Sequence, residues 1–339
     1  MEAVSIILKT WNAARYVRLC LEYLLKNTEG EFELIIVDNG SEARLVDDLS
    51  LQAEGDSRVR LIQNERNMGP GFANRQGMEV AAYQLVCLMD SDVLVPAGWL
   101  GKLVAEMVNH PGIKMITPLK HEECNLYPFG VAQPDSRQVW FETKRETRGL
   151  SPKNQFLRYS QGFSLEEFSE LMVGANPGEV ETIVAPPDFL GTSCALVDRG
   201  FVEGVGGVAD PDFRAYGSED VDLCWRIGAA GGLVAKSHSV YVHHFHGASL
   251  EDNRLERSSA LVLANQILYN KWKERLLKHL LGVAQENCPD LVDYLERHFI
   301  YHQLAQNTPF LYDLRSALLQ AGINFNLPQE IIWRGGYSQ

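Results

Sequence analysis

The sequence Leu88-Met89-Asp90-Ser91-Asp92 places two carboxylates one residue apart at the end of an apolar run. The run from Val86 to Met89 is typical of a buried strand, and Ser91-Asp92 leaves that strand for a loop. Carboxylate oxygens are preferred ligands of hard divalent cations, so acids in this position can hold a cation against a diphosphate. A pair of solvated turn aspartates is the plain alternative. The order of the surrounding motifs decides between these interpretations.

Length and composition indicate a globular protein. The 339 residues are enough for one large domain with an appendage or for two domains, and 45% hydrophobic with 22% charged residues is typical of soluble chains. A net charge of -13 argues against nucleic acid as the main partner, because no basic field offsets phosphate repulsion. Apolar runs such as Leu85–Met89 are far shorter than the roughly 20 residues that span a bilayer.

The N-terminus and the cysteines favour a cytoplasmic location. The chain enters a strand-like run at Val4 without a basic segment or a cleavable apolar core, so we do not expect secretion. We interpret the cysteines as reduced core residues because they are scattered, show no C-x-x-C spacing and in several cases lie within apolar runs. They are Cys20, Cys87, Cys124, Cys194, Cys224 and Cys288.

Strand and helix patterns alternate along the first half of the chain. The predicted strands are Val4–Leu8, Phe32–Val37, Val59–Ile62, Leu85–Met89 and Met115-Ile116. Helical patterns contain Val17 to Leu25, run from Gly69-Pro70-Gly71 to about Ala82, and cover Leu100–Val108. This alternation predicts an α/β fold with a mostly parallel sheet covered by helices on both faces.

The second half contains an irregular segment and a helical end. Between about Lys120 and Pro187 the pattern breaks down, and we expect a variable insertion that contacts an acceptor, with a structural flap as the alternative. Regular pattern returns at Leu190–Val197, followed by a helix from about Val221 to Ala229 and strands at Leu233–Ala235 and Ser239–His243. From about Leu250 onward the sequence is helical, with Leu261, Ala264, Leu268, Leu276 and Leu280 at helical spacing.

Basic residues decorate the first of these C-terminal helices. They are Lys271, Lys273, Arg275 and Lys278. A solvated basic face is the default interpretation, and contact with anionic lipid or a diphosphate carrier is the alternative.

Four polar clusters follow predicted strands or open a helix. They are Thr10-Trp11-Asn12, Asp38-Asn39-Gly40-Ser41, Asn67-Met68-Gly69-Pro70-Gly71 and Asp90-Ser91-Asp92. Ligands of an open α/β sheet bind outside the carboxyl ends of its strands, so the four clusters together predict a binding crevice. Asp38 can accept hydrogen bonds from a nucleobase or ribose, and Trp11 offers a flat face for stacking. Gly69 and Gly71 allow close backbone approach, and the following helix directs free N–H groups at an anion.

Two nucleotide-binding motifs are absent from the sequence. No G-x-G-x-x-G follows the first strand, which argues against a dinucleotide-dependent dehydrogenase. No G-x-x-x-x-G-K-[ST] occurs either, which argues against a P-loop NTPase.

Two later motifs supply acids and histidines. Asp220 follows a Gly-Ser turn at the start of a helix, where it can act as a general base on a hydroxyl, although the helix dipole alone also favours acids there. In His243-His244-Phe245-His246, a continuing strand would project His244 and His246 to one side and His243 to the other. Imidazole commonly ligates divalent transition metals, so one of these histidines could complete a site begun by Asp92.

With these motifs in this order, the chain from about Val4 to Ser249 resembles the family 2 glycosyltransferases, inverting enzymes of the GT-A fold. The matching segments are Val4–Asn12, Ile35–Ser41, Asn67–Gly69 with Ala73-Asn74, Asp90–Asp92, Gly217–Leu223 and the histidines. Bacterial rhamnosyltransferase-like members are the most similar. The family usually has Pro where this chain has Lys9, and Tyr where it has Trp11.

The resemblance implies a role for each motif. The nucleotide-sugar donor would be bound by Thr10, Trp11, Asn12, Asp38, Asn67, Gly69, Asn74, Asp90 and Ser91. Asp92, together with Asp90, would bind Mn²⁺ or Mg²⁺ at the diphosphate, with His246 or His244 as a further ligand or a diphosphate contact. Asp220 would be the catalytic base, and Glu219 would position the acceptor.

The resemblance, together with the sequence pattern outside its motifs, implies a domain layout and a reaction. Residues 1–250 would form the GT-A domain, with a nucleotide-sugar half (1–118), an acceptor-side insertion (119–189) and a catalytic half (190–250). Residues 251–339 would form a helical C-terminal region. The reaction would be metal-assisted transfer from a UDP-sugar, or from dTDP-rhamnose, to a hydroxyl of a glycan, glycoconjugate or peptide. Peripheral contact with the inner face of the membrane stays open.

Two other functions compete with this one. A sugar-1-phosphate nucleotidyltransferase would carry a Gly-rich loop with Arg or Lys directly after the first strand, and Lys9–Asn12 is not such a loop. A non-catalytic carbohydrate-binding relative would be expected to lack a key acid, but Asp90, Asp92, Glu219 and Asp220 are all present.

Overall fold

A mixed β-sheet with helices on both faces forms the centre of the molecule, whose computed structural model describes residues 2–129, 135–213, 217–248, 251, 253, 257–287 and 290–332. The strands are β1 Val4–Thr10, β2 Phe32–Asp38, β3 Val59–Gln63, β4 Leu85–Asp90, β5 Val93–Leu94, β6 Ile113–Leu119, β7 Glu181–Ile183, β8 Cys194–Asp198, β9 Leu233–Tyr241 and β10 His243–His244.

Helices are distributed along the whole described chain. They are α1 Ala14–Asn27, α2 Ala43–Gly55, α3 Pro70–Val80, α4 Trp99–Asn109, α5 Ser136–Glu146, α6 Pro152–Tyr159, α7 Leu165–Ala175, α8 Arg199–Gly204, α9 Glu219–Ala229, α10 Arg257–Asn287, α11 Leu291–Arg297, α12 Phe299–Asn307 and α13 Phe310–Gln320.

The strand order of the main sheet is β3-β2-β1-β4-β8-β6-β9-β7. The first four strands in this order are parallel, so their carboxyl ends meet at one edge of the sheet. β8 is antiparallel to both β4 and β6, β9 is parallel to β6, and β7 is antiparallel to β9. The predicted α/β fold with a mostly parallel sheet is confirmed, and the two antiparallel strands lie in its second half.

Two hydrophobic cores cover the two faces of the sheet. Side chains alternate between them along β1, since Ile6 and Leu8 pack in the core that contains α1 and α4. Ile7 packs on the opposite face, in the core that contains α3, α9 and α10. Gly77 of α3 lies so close to β1 that an added Cβ would fall 2.4 Å from a methyl carbon of Ile7. Glycine at this position therefore permits the close packing of α3 on β1.

The segment that lacked a regular pattern in the sequence contains helices. The helices α5, α6 and α7 occupy about half of the stretch between β6 and β7, and contact of this insertion with an acceptor stays a prediction. Their aromatic residues pack on each other as a third core, which includes Trp140, Phe156, Tyr159 and Phe168. The helices are 8 to 11 residues long, too short to show a clear periodicity. A capping box from Ser164 to Glu167 was a readable start signal for α7.

The C-terminal helices pack against α9, and the predicted buried positions Leu268, Leu276 and Leu280 are fully buried. Two of the four basic residues named on α10 form ion pairs within the protein. Lys271 pairs with Asp210 and Asp222, and Lys273 pairs with Asp313 at 2.7 Å. These contacts disfavour a continuous basic surface for lipid. None of the described helices is long and apolar enough to cross a membrane.

The cysteines agree with the expectation of reduced core residues in the part of the chain that is described. Cys20, Cys87, Cys124, Cys194 and Cys224 are buried and free. Cys288 lies outside the described residues, as does the predicted boundary at Leu250.

Asp222 on α9 joins the C-terminal helices to the sheet core. Its fully buried carboxylate accepts hydrogen bonds from Arg226 at 2.7 Å and from the indole N–H of Trp272 at 2.8 Å, and it pairs with Lys271 at 2.8 Å. Three donors on α9 and α10 therefore converge on one carboxylate.

Replacing Asp222 by Asn should destabilise the fold. The change leaves two cationic groups near a neutral amide in a buried site, and breaking a buried pair in this way costs about 3 kcal/mol. Urea unfolding measures the difference. Asp48→Asn removes the exposed partner of Arg18 and should cost less than about 1 kcal/mol. Equal losses in the two variants would contradict this interpretation.

Candidate active site

Three buried polar side chains near the ends of β1 and β2 carry an atom with no hydrogen-bond partner among the described residues. The atoms are Thr10 Oγ1, Asp38 Oδ1 and Asn74 Oδ1, and the side chains are at most 3% exposed. Thr10 and Asp38 are direct cross-strand partners. Leaving a buried polar atom unpaired costs free energy, so these atoms are suited to a polar ligand. All three residues were predicted to bind the donor.

Asn39 organises the loops around this group. Its side-chain amide donates to Asn67 Oδ1 at 3.1 Å and to the Gly69 carbonyl at 3.0 Å, and its oxygen accepts from the Met68 N–H at 3.2 Å. Gly69 has φ of +91° directly before α3, a conformation that favours glycine. Asn67 and Gly69 therefore shape the loop, while the sequence had not singled out Asn39.

Asn12 connects the ends of β1 and β2. Its backbone N–H donates to Ser41 Oγ at 2.8 Å, and its side-chain oxygen accepts from the Glu42 N–H at 2.8 Å. Trp11 beside it is half-buried, and Ser91 is buried. The predicted donor-binding residues thus lie at the carboxyl ends of the parallel strands or on the loops next to them, except for Asn74, which lies on α3.

The Asp90-Ser91-Asp92 turn is held against the histidine segment by a short strand pair. β5 follows the turn and pairs with β10 in antiparallel register, which places His244 opposite Val93. Asp92 Oδ2 accepts the Ala248 N–H at 3.2 Å, and the Asp92 carbonyl accepts the Phe245 N–H at 2.9 Å. His244 Nε2 consequently lies 3.3 Å from Asp92 Oδ1 and 3.8 Å from Asp90 Oδ2.

Glu122, three residues after the end of β6, contacts the other side of these histidines. Its Oε1 lies 2.7 Å from His244 Nδ1 and 3.0 Å from His246 Nδ1. Two overlapping groups of three potential metal ligands result. They are Asp90–Asp92–His244 and Glu122–His244–His246, and in each group the ligand atoms lie within 4.8 Å of one another. Among the described residues, His244 rather than His246 approaches the aspartate pair. Sequence analysis missed Glu122, although it too is an acid that follows a buried strand.

The charges in this cluster stabilise one another. Burial opposes the charged form of His244, but the carboxylates of Glu122 and Asp92 raise its pKa to about 10. Burial also opposes ionisation of Asp92, yet the imidazolium of His244 lowers the pKa of Asp92 to about 2. Lys9 forms an ion pair with Asp90 across the β1–β4 register. Asp92 is therefore ionised, and a cation bound by His244 Nε2 would displace the proton from that nitrogen.

His243 points away from this cluster. Its ring lies 4.5 Å from that of Trp140 and 4.6 Å from that of Phe245, and its Nδ1 is 3.2 Å from the Tyr241 hydroxyl. Burial lowers the pKa of His243 to about 3, so the ring is neutral. Of the three clustered histidines, His243 belongs to the aromatic core.

A cavity of about 350 Å³ connects the acids. Asp90, His244 and His246 line one part of it, and Glu219 and Asp220 line another. The C-terminal helices supply a further wall through Arg297, Phe299, Ile300 and Gln303, a contribution that the sequence did not indicate. The lining does not include Thr10, Asp38 or Asn74. Thr10 and Asp38 end the neighbouring strands β1 and β2, and Asn74 lies on α3.

Glu219 and Asp220 begin α9. A left-handed Ser218, with φ of +63°, directs the chain into the helix. Glu219 Oε2 accepts the Gly217 N–H at 2.9 Å, and Asp220 Oδ1 accepts the Val221 N–H at 2.8 Å. Burial and the neighbouring charge of Asp220 raise the pKa of Glu219 to about 7. The cavity therefore contains one acid that can exchange a proton near neutral pH.

Comparison with known proteins identifies the family that this chain resembles. Residues 5–165 match the family model of Glycosyl transferase family 2. The glycosyltransferase GlyG of Streptococcus pneumoniae is 29% identical over 109 residues, 31% of this chain and 35% of that protein. The pre-mycofactocin glycosyltransferase of Mycobacterium tuberculosis is 24% identical over 219 residues, 65% of this chain and 38% of that protein. The chain thus spans little more than a third of the length of these relatives.

A solved structure shares the architecture. The mannosyltransferase PcManGT from Pyrobaculum calidifontis, in complex with GDP-Man and Mn²⁺, matches with a TM-score of 0.51 over 96% of this chain and 76% of that chain, at 16% identity. The fold is of the GT-A type. Residues 5–165, just under half of the chain, are similar to glycosyltransferase family 2. The rhamnosyltransferase-like subtype stays a prediction.

The raised pKa of Glu219 predicts a pH dependence of stability. The folded protein holds this proton up to about pH 7, whereas a glutamate in the unfolded chain releases it near its ordinary pKa of 4.5. The folded state binds more protons between these values, so this group's contribution makes stability fall as pH rises from 4.5 to 7.

Glu219→Gln should remove that contribution. Relative to wild type, the melting temperature of the variant should rise by several degrees between pH 4.5 and pH 7. Thermal melts across this range measure the difference, with Glu203→Gln on α8 as an exposed control. A constant difference between Glu219→Gln and wild type across the range would show that Glu219 does not titrate there.

Proposed function

We propose that the chain transfers a sugar from a nucleoside-diphosphate sugar to an acceptor hydroxyl with inversion, assisted by Mn²⁺ or Mg²⁺. The observation that carries this proposal is the convergence of Asp90, Asp92 and His244 within 4.8 Å, where Asp90 and His244 line one cavity together with Glu219 and Asp220. The similarity of residues 5–165 to Glycosyl transferase family 2 supports the reaction class.

The donor set fits a divalent cation. Two carboxylates and one imidazole nitrogen match the ligand preferences of Mn²⁺, and carboxylates alone suit Mg²⁺. Asp90, Asp92 and His244 would hold the ion, and His246 would lie beside His244 through their shared contact with Glu122. When bound, the ion would stabilise negative charge on the departing diphosphate.

The nucleoside would bind at the ends of β1 and β2. The unpaired buried oxygen of Asp38 suits an imide or ribose donor, and the Thr10 hydroxyl and Asn74 carbonyl offer further contacts. Trp11 supplies an adjacent ring for stacking. UDP-sugars are the favoured donors, with dTDP-rhamnose as the rival.

Asp220 would act as the base. It accepts the proton of the acceptor hydroxyl while that oxygen forms a bond to the anomeric carbon and the bond to the diphosphate oxygen breaks. Attack from the side opposite to the leaving diphosphate inverts the anomeric centre. Glu219 beside it would hydrogen-bond and orient the acceptor.

The acceptor would enter between α9 and the C-terminal helices. The cavity wall at Arg297, Phe299 and Gln303 combines a cation, an aromatic face and an amide, which suits a glycan, a glycoconjugate or a peptide with a free hydroxyl. A cytoplasmic location, with peripheral membrane contact for a lipid-linked acceptor, remains our prediction from the sequence.

Asp220→Asn should reduce transfer by about 100-fold or more, because an amide cannot accept the hydroxyl proton. Donor affinity should change less than about twofold, since the donor contacts lie elsewhere in the site. Product formation and calorimetric titration with UDP-sugar measure the two quantities. Asp47→Asn, an exposed aspartate on α2, serves as the matched control. Full turnover by Asp220→Asn would show that another group is the base.

A further inference from the structure

We propose that Glu122 is a positioning residue of the cation site, which orients His244 so that its Nε2 atom faces Asp90 and Asp92. The inference rests on the proposed function, because it takes the Asp-Ser-Asp turn as the site of the cation. Glu122 lies in the insertion, outside the motifs that carried the assignment of the donor site.

The backbone of His244 is already fixed by the pairing of β10 with β5. The remaining freedom of its side chain is rotation about χ1 and χ2, which together set the position and orientation of the imidazole ring. Glu122 Oε1 accepts a hydrogen bond from Nδ1 at 2.7 Å, and this contact restricts that rotation. Because Nδ1 and Nε2 lie on different sides of the ring, a carboxylate that holds one nitrogen determines where the other points.

The distances distinguish the two nitrogen atoms. The separation of 2.7 Å between His244 Nδ1 and Glu122 Oε1 is that of a direct hydrogen bond. Nε2 lies 3.3 and 3.8 Å from the oxygens of Asp92 and Asp90. Two ligands at about 2.1 Å from a shared cation lie roughly 3 Å apart or more, so these longer separations suit ligands around one ion. We therefore assign Nε2 to the cation and Nδ1 to Glu122.

The same carboxylate oxygen also binds His246. His246 Nδ1 lies 3.0 Å from Glu122 Oε1, and the rings of His244 and His246 are 5.4 Å apart. Glu122 thereby holds two imidazoles next to each other along the cavity. The neighbouring acid Glu123 has a different partner, since it pairs with the buried Lys120 at 3.0 Å.

Mn²⁺ titration of the purified full chain, followed by the electron paramagnetic resonance signal of free Mn²⁺, tests this assignment. Glu122→Ala should raise the Kd for Mn²⁺ by about 10- to 100-fold, and the isosteric Glu122→Gln by a smaller factor. Glu142→Gln, an exposed change on α5, should leave the Kd unchanged. Asp92→Asn should abolish binding at the site. Thermal melting of each variant verifies that it is folded.

The outcomes separate this inference from the proposed function. If Asp92→Asn abolishes Mn²⁺ binding and both Glu122 variants bind as wild type does, the positioning role is overturned and the cation site stands. If wild type does not bind Mn²⁺, or Asp92→Asn binds it normally, the proposed cation site itself fails.

His246→Asn distinguishes positioning from direct ligation. The positioning account expects less than about a threefold change in the Kd for Mn²⁺, because His246 does not face the aspartate pair. A loss equal to those of His244→Asn and Glu122→Ala would instead place the cation among Glu122, His244 and His246, and would overturn the proposal.

Discussion

The antiparallel pairing of β5 with β10 is the contact on which the candidate site depends. It joins a turn after the fourth strand to a segment about 150 residues later in the chain. The pairing sets His244 against Asp92, and a backbone N–H from Ala248 fixes the second carboxylate oxygen. Without it, the Asp-Ser-Asp sequence would be an ordinary polar turn. The chemistry of the site therefore depends on this pairing between two segments that are distant in the sequence.

Charge balance is the second constraint. Asp90, Asp92 and Glu122 would repel one another in a half-buried site, and Lys9 with His244 offsets that repulsion. Lys9 stands where the family usually has Pro, so this chain adds a cation at the end of its first strand. We infer that Lys9 offsets negative charge at this site and holds the carboxylate of Asp90 in a fixed orientation.

Much of the first half of the fold could be predicted from the sequence, because its strands are continuous apolar runs followed by polar clusters. The rule that polar residues after a buried strand mark a binding site would also have selected Glu122, because it follows β6. The antiparallel β8 could not be predicted, since a buried strand looks alike in either direction. The helices of the insertion were not predicted. Their aromatic residues pack on each other, and the sequence there shows no clear helical periodicity. The C-terminal wall of the cavity depends on tertiary packing alone.

Turnover of nucleotide sugars with and without a divalent cation tests the central claim most directly. Purified protein is incubated with a panel of nucleoside-diphosphate sugars in Mn²⁺ or in EDTA, and release of the nucleoside diphosphate is measured. The account predicts hydrolysis or transfer with at least one donor in Mn²⁺, and its loss in EDTA. Activity that EDTA leaves undiminished would contradict the role assigned to Asp90, Asp92 and His244.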